Sequence, residues 1–461
     1  MSKAAHLFYS ADPNKKTLHA SIKPSDVQQE IQQERWQSLR DYLVADLQDL
    51  TGYTIDSWLQ GSYKYRTQIR PPVKGQESDI DLGLYFHWTG KPTDGAYSPK
   101  ALKDLVQESL KLYAEESDDV IEVVEPPKTR CARIRFKNGF HIDVPVYHYS
   151  TDSGACTLAT EEDEWEESDP ETLYNWFLNK YPEDESAQVR RLIRYLKMWS
   201  ALKFAESKRP SSTMLSVLVA QTYPILVDEE KDGDEIAFKN IVEEVLEHLT
   251  ADRVVRNTVN YSEGLNRMES EHFDVLMEKL RDLLTLSENA LATENEFEAA
   301  SIWTETFSHF FPIPNPEEAT SKAIIPVSFS PRVAVRAVAT NNAAFDFSNI
   351  NRIGPIPRNC VISFTVTNAH ELPAGAEFSW VVRNDSEESD FENDLGHMGT
   401  GIGHVWEEHS AYKGTHFMDL TAKHSLLGIL GFIRIPVEIS GVFMVPRTPP
   451  KPKWTKFRRR R

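Results

Sequence analysis

Gln60-Gly61-Ser62-Tyr63, followed by Glu77-Ser78-Asp79-Ile80-Asp81-Leu82-Gly83-Leu84-Tyr85-Phe86, is the stretch on which the reading of this chain turns. Ile80, Leu82, Leu84 and Phe86 alternate with Asp79, Asp81, Gly83 and Tyr85, the period-two pattern of a strand with one apolar face. Residues i and i+2 of a strand point the same way, roughly 6.5 to 7 Å apart, so Asp79 and Asp81 can address one centre. A third carboxylate, Asp143, lies in Phe140-His141-Ile142-Asp143-Val144, where it shares a face with His141. Three carboxylates on neighbouring strands suit a phosphoryl-transfer site with two divalent ions about 3.5 to 4 Å apart, because such ions need bridging anionic oxygens. Gly61-Ser62 supplies the phosphate side: glycine permits close backbone approach, and exposed N–H groups with a serine hydroxyl can hold phosphate oxygens.

Working outward, Ser25-Asp26-Val27-Gln28 is a capping box, and Val27, Ile31, Leu39, Leu43, Leu47 and Leu50 follow near helical spacing until Gly52. The pattern predicts one long helix. Thr129 to Phe136 and Phe140 to Tyr147 read as strands joined by Lys137-Asn138-Gly139, a strong hairpin turn. From Asp169-Pro170 the periodicity becomes helical, with segments expected near 171–181, 185–205, 212–222, 236–250, 270–286 and 290–308 and an acidic loop at Asp228 to Glu235. On the second of these helices Arg190, Arg194 and Lys197 stand at i, i+4 and i+7; either they form a solvated basic face, or Lys197 reaches a triphosphate. Ser212 opens the next helix, as an N-cap or as a phosphate donor.

A proline-containing linker is expected over 313–345. Short β-rich runs then dominate to Val445, as in a small β-sandwich, and a basic tail, 448–461, closes the chain. The boundaries are therefore 1–168 for a first lobe, 169–312 for a helical lobe and 346–447 for a β-rich domain. With 461 residues, 40% apolar and 26% charged, and a mean hydropathy of -0.46, the chain has a globular composition. No run is apolar enough to span a bilayer and no leader pattern opens it, so a cytoplasmic protein without a membrane partner is expected. Three dispersed cysteines cannot form a disulfide framework or a four-thiolate zinc site. The net charge of -19 disfavours stable binding of double-stranded nucleic acid over a broad surface.

Gln60-Gly61-Ser62-Tyr63 with Thr67, Glu77 to Leu82, His141-Ile142-Asp143-Val144-Pro145, Ser168-Asp169-Pro170 and Arg194-Tyr195-Leu196-Lys197-Met198-Trp199 together resemble the SMODS family, the bacterial cGAS/DncV-like nucleotidyltransferases that make cyclic oligonucleotide messengers. The resemblance runs from about 20 to 312. It implies an α+β class with a polymerase-β-like nucleotidyltransferase lobe, a helical lobe completing the cleft and a C-terminal all-β domain. It assigns Asp79, Asp81 and Asp143 to two Mg²⁺ ions, with Mn²⁺ as a substitute, and Gly61, Ser62, Thr67, Arg194, Lys197 and Ser212 to nucleotide binding. NTPs, ATP among them, would be the substrates, a cyclic di- or trinucleotide the product, and a separate effector protein in antiphage signalling its receiver. Lys64-Tyr65-Arg66 is bulkier and more basic than that family's loop.

Residues 340–447 resemble the AGS-C sensor domain, through Trp380-Val381-Val382-Arg383-Asn384, Gly396, Glu408 and Tyr412-Lys413-Gly414-Thr415-His416. The resemblance implies a sensor for a nucleotide-type ligand, with Trp380, Arg383, Asn384, Tyr412 and His416 as contacts; sandwich core and turn roles are the alternative for Trp380, Tyr412 and His416. Two other functions fit part of the pattern. A nucleotidyltransferase acting on RNA or protein would need an acceptor surface, and a catalytically silent nucleotide sensor would not need all three carboxylates.

Overall fold

The computed structural model describes residues 3–223, 233–314, 328–340, 342–401 and 403–443, and the chain divides into two compact units, Met1–Ile313 and Pro314–Arg461. The first lobe and the helical lobe thus belong to one unit. In it the long helix forms as expected over Asp26–Thr51: Ser25 and Gln28 complete the capping box, and Gly52, at φ 71°, stops the helix in a left-handed turn. Leu39, Leu43 and Leu47, one turn apart, are fully buried.

These leucines pack with Leu102, Val106 and Leu110 of the helix Pro99–Glu116 against one face of an eight-stranded sheet. Its strands are β1 (Thr54–Gln60), β2 (Ser78–Trp88), β3 (Val120–Val123), β4 (Ala132–Phe136), β5 (Phe140–Val144), β6 (Val146–Ser150), β7 (Cys156–Ala159) and β8 (Trp165–Glu167). Ile80, Leu82, Leu84 and Phe86 of β2 all face that core with no exposed surface. β2 pairs antiparallel with β1 and parallel with both β5 and β6. The single strand expected over 140–147 is split at Pro145, which has no N–H to donate; its carbonyl instead accepts from Leu84 N at 3.0 Å.

The helical segments are Pro170–Lys180, Glu183–Lys203, Ser212–Thr222, Asp234–Ala251, Ser270–Ala292 and Glu296–Phe307, close to expectation. The short helix Ala5–Phe8 inserts Phe8 among Tyr195, Trp303, Phe307 and Phe311. The expected acidic loop falls mostly outside the described residues, but its end is not solvated: Asp234 and Glu235 are buried at a helix start. Arg191 grips Asp234 through two bonds of 2.6 and 2.8 Å, and Trp303 donates to Glu235 at 2.6 Å. Buried carboxylates are tolerated because they are paired.

The second unit holds β9 (Val333–Ala339), β10 (Asn342–Ile350), β11 (Ile353–Arg358), β12 (Cys360–Val366), β13 (Ala376–Arg383), β14 (Gly396–Gly401), β15 (Val405–His409), β16 (Gly414–His424) and β17 (Gly428–Phe443). They form a four-stranded sheet, β10-β9-β12-β15, and a five-stranded one, β11-β17-β16-β13-β14, whose apolar faces supply one core. The linker expected over 313–345 is therefore too long, since β9 is an inner strand. Val333, Val335, Ala337 and Ala339 are buried in alternation, but Ala334 and Val338 on the opposite face are apolar too, so the sequence shows little period-two contrast. The expected basic tail lies outside the described residues.

Candidate active site

The pairing of β1 with β2 sets Gln60 opposite Asp81, so the chain leaves β1 beside the carboxylates and turns at once into the short helix Gly61–Lys64. Gln60 is held from both ends: its Nε2 donates to Tyr85 Oη at 2.8 Å and its Oε1 accepts from Tyr147 Oη at 3.1 Å. Gly61 has φ 58°, and a Cβ built there would lie 2.0 Å from Asp81 Oδ2. Both facts require glycine.

On the other edge, parallel pairing with β5 sets Asp79 beside His141 and Asp81 beside Asp143. Asp79, His141 and Asp143 each offer a ligand atom within 4.8 Å of the others. His141 Nε2 lies 3.1 Å from Asp79 Oδ1, and its Nδ1 lies 3.1 Å from Glu77 Oε2. Burial, and then the charges of Asp79 and Asp143, push the Asp81 carboxyl well above the usual range. Burial acts the same way on Asp143, but Arg133 outweighs it: bonds of 2.5 and 2.7 Å to the two carboxylate oxygens hold Asp143 below the usual value. Carboxylate oxygens crowded on one face with a single imidazole form a donor set suited to a divalent cation.

The helix Glu183–Lys203 closes the cleft from the other side. Lys197 Nζ donates to Thr67 Oγ1 at 3.1 Å, while Arg194 donates to the carbonyls of Gln68, at 3.2 Å, and Arg66. Burial, then the charge of Arg194, lowers the Lys197 ammonium to about 7. A cavity of about 640 Å³ joins Gly61, Ser62, Thr67, Asp79, Asp81, Lys197 and Ser212. Thus seven of the expected site residues converge. Asp143 adjoins the cavity through Arg133.

Arg194 does not line it; its guanidinium grips the backbone on both sides of Thr67. The N-cap role at the following helix belongs to Ser211, whose Oγ accepts from Met214 N at 3.1 Å, which leaves Ser212 facing the cleft. Lys64 stands over the rings of Trp58 and Tyr174 at 5.0 and 5.2 Å, away from a phosphate role. The cavity's other cations, Arg70, Arg133, Arg135 and Arg209, escaped the sequence reading. For two of them a signal existed: the Asn-Gly hairpin puts Arg133 opposite Asp143 and Arg135 opposite His141.

In the second unit the expected sensor residues separate. Trp380 is 1% exposed, a core side chain packed with Phe364, Phe378 and Trp406. Arg383 donates to Asp419 at 2.7 Å, and Asp419 also accepts from Arg434, a buried ion cluster. Neither Trp380 nor Arg383 is among the residues lining the cavity of this unit. Asn384, Tyr412 and His416 do line a cavity.

Comparison with known proteins agrees with this architecture. Residues 56–147 match the family described as cyclic GMP-AMP synthase DncV-like, nucleotidyltransferase domain, and residues 314–438 match the Adenylyl/Guanylyl and SMODS C-terminal sensor domain. A cyclic GMP-AMP synthase of Escherichia albertii is 27% identical over 96% of this chain and 97% of its own length. A c-di-GMP synthase of Roseivirga ehrenbergii is 24% identical over 51% of this chain and 69% of its own. Among solved structures, Vibrio cholerae DncV in complex with the linear intermediate 5′ pppA(3′,5′)pG superposes with a TM-score of 0.55 at 20% identity, covering 67% of this chain and 96% of that one. Escherichia coli DncV with 3′-deoxy GTP bound gives 0.56 at 21%, covering 67% and 97%. Residues 56–147 are thus similar to the DncV-like nucleotidyltransferase domain, and residues 314–438 to the AGS-C sensor domain.

Proposed function

We propose that the chain is a template-independent nucleotidyltransferase that joins NTPs into a cyclic dinucleotide, with pyrophosphate as the by-product. The observation that supports this most directly is the cleft, where the turn at Gly61 abuts Asp81 and the helix bearing Lys197 faces it across a cavity of about 640 Å³. That volume is in the range of sites for small organic ligands.

In this reading Gly61, Ser62 and Ser212 hold the β- and γ-phosphates of the donor NTP through backbone and hydroxyl donors, and Lys197 neutralises them. Asp79, Asp81 and Asp143 would hold divalent metal, Mg²⁺ or Mn²⁺, which when bound supplies charge neutralisation at the triphosphate and a more acidic ribose hydroxyl. His141, on the same face as Asp143, meets Glu77 through Nδ1 and leaves Nε2 beside Asp79. The acceptor ribose hydroxyl gives up its proton to solvent, its oxygen bonds to the α-phosphorus as the α–β phosphoanhydride bond breaks, and pyrophosphate departs with the electron pair. The linear dinucleotide then turns, and its remaining ribose hydroxyl repeats the step on its own triphosphate. Catalysis consists of positioning and charge. The product would act on a separate effector in antiphage signalling, as the family resemblance implies.

Mass spectrometry of products from purified protein with ATP, GTP, CTP, UTP and Mg²⁺ tests the reading. Cyclic products in the absence of any acceptor are expected, and Asp79→Asn with Asp81→Asn should abolish NTP consumption. Nucleotide transfer only when RNA or protein is added would replace this function with acceptor modification. Retention of NTP without pyrophosphate would identify a silent binder.

A further inference from the structure

The second unit contains a cavity of about 190 Å³ between its two sheets. It opens to solvent on the side lined by His397 and His409, both exposed. Its apolar wall includes Ile362 and Phe364 from one sheet and Met418, Val437 and Ile439 from the other, all buried.

The polar wall has a definite sign. Asp394 accepts from Tyr412 Oη at 2.7 Å and from Asn384 Nδ2 at 3.3 Å, and its backbone carbonyl accepts from the same amide at 3.0 Å. Glu408 accepts from Trp406 Nε1 at 2.5 Å and pairs with His397 Nε2 at 2.8 Å. His416 is held as a neutral ring: its Nδ1 accepts from Asp385 N at 3.2 Å, and its Nε2 faces the Tyr412 carbonyl at 2.9 Å. Burial lowers its affinity for a second proton. Two carboxylates therefore face the cavity, and no lysine or arginine is among the described residues lining it. A phosphate there would meet these two carboxylates, and His397, whose proton affinity Glu408 raises, is already paired with that carboxylate.

We propose that this cavity binds a planar amino-heterocycle, uncharged or protonated and bearing no phosphate, which donates N–H bonds to the Asp394 and Glu408 side and lies against the aromatic and aliphatic walls. Such sites combine a mostly apolar lining with a few placed polar groups. The sensor ligand is then a free base or nucleoside type of molecule rather than a nucleotide. This assignment does not depend on the synthase reading, which concerns the other unit.

The test is isothermal titration calorimetry of the full chain with adenine, guanine, cytosine and their nucleosides against the matching 5′-monophosphates. At least one base or nucleoside should bind, with its monophosphate at least ten-fold weaker. Glu408→Gln, nearly isosteric, should weaken the bound compound at least ten-fold while the melting curve stays unchanged; Met418→Trp, which fills the space, should abolish binding. Ligand held in the catalytic cleft instead would ignore both substitutions and overturn the proposal. So would a monophosphate that binds as tightly as its nucleoside, or no binding by any of the six. Pyrophosphate release measured on the same samples reports on the synthase separately.

Discussion

Gly61 and Asp81 occupy each other's only space: a Cβ on Gly61 would stand 2.0 Å from the Asp81 carboxylate. The phosphate-facing turn and the metal-facing strand are thereby locked at one distance. Gly61→Ala meets two obstacles, the φ of 58°, which costs an alanine about 1 to 2 kcal/mol, and the carboxylate itself. The carboxylate is the movable partner, so the fold survives while Asp81 is displaced. A misplacement near 1 Å in such a site costs on the order of 100-fold in rate. Pyrophosphate release should fall by that order with only a modest loss of melting temperature, and near-wild-type turnover would refute the lock.

Lys197 predicts a proton linkage. Burial, and then Arg194, lowers its free-enzyme value to about 7, whereas a bound triphosphate favours the charged ammonium. Below pH 7 the lysine is already protonated and binding takes up nothing. Above pH 7 it is increasingly neutral, and NTP binding must draw a proton from solution. Calorimetry at pH 8 in buffers of different ionisation enthalpy should show uptake approaching one proton, fading towards pH 6. Lys197→Met should remove the linkage and weaken NTP by roughly 10- to 100-fold, the worth of one charged hydrogen bond of about 1.5 to 3 kcal/mol. The same uptake in that variant would exclude Lys197 as its source.

Arg194 is a positioning residue. Its fork spans the carbonyls of Arg66 and Gln68, and Thr67 between them is the residue that Lys197 touches. Arg194→Met leaves two carbonyls without this donor and should cost about 1 to 3 kcal/mol of stability. Arg194→Lys should not rescue it, because one ammonium cannot reproduce the planar fork. The expected signature is a lower kcat with a smaller change in KM, since the loop's placement and not its chemistry is altered. Full rescue by lysine would show that charge alone suffices.

Much of this was written in local pattern. The capping box at Ser25 and the alternation through Ile80 to Phe86 fix a helix and a strand that the packing keeps, although Tyr85 on the strand's other face is buried as well, with Tyr147, Cys156 and Leu158. Asp79, Asp81 and Asp143 follow from the same alternation. Local pattern carries pairing only where a tight turn sets it, as the Asn-Gly turn does for Arg133 and Asp143. Arg133 reaches Asp143 only through the antiparallel register of β4 and β5, and Arg194 and Lys197, three residues apart, part company because one meets backbone carbonyls and the other a hydroxyl and the cleft. Trp380 could be read as a ligand contact or as sandwich core, and Arg383 as a ligand contact, because aromatic and basic residues in a β-rich run read alike whether they face a ligand or a core.

The cluster of Arg383, Asp419 and Arg434 separates those two readings of Arg383. Asp419, 1% exposed, accepts from both guanidiniums at 2.7 to 2.8 Å. Asp419→Asn removes the only formal negative charge in that cluster and should destabilise the second unit by about 3 to 5 kcal/mol, the usual cost of breaking a buried ion pair from one side. Replacing all three together, Arg383→Met with Asp419→Leu and Arg434→Met, removes the charges as a set and should recover most of that loss. Denaturant unfolding of the full chain measures both. If Arg383 is purely architectural, the triple variant keeps its affinity for whichever base or nucleoside the wild type binds. Loss of that affinity in a variant that unfolds like the wild type would return Arg383 to the binding site.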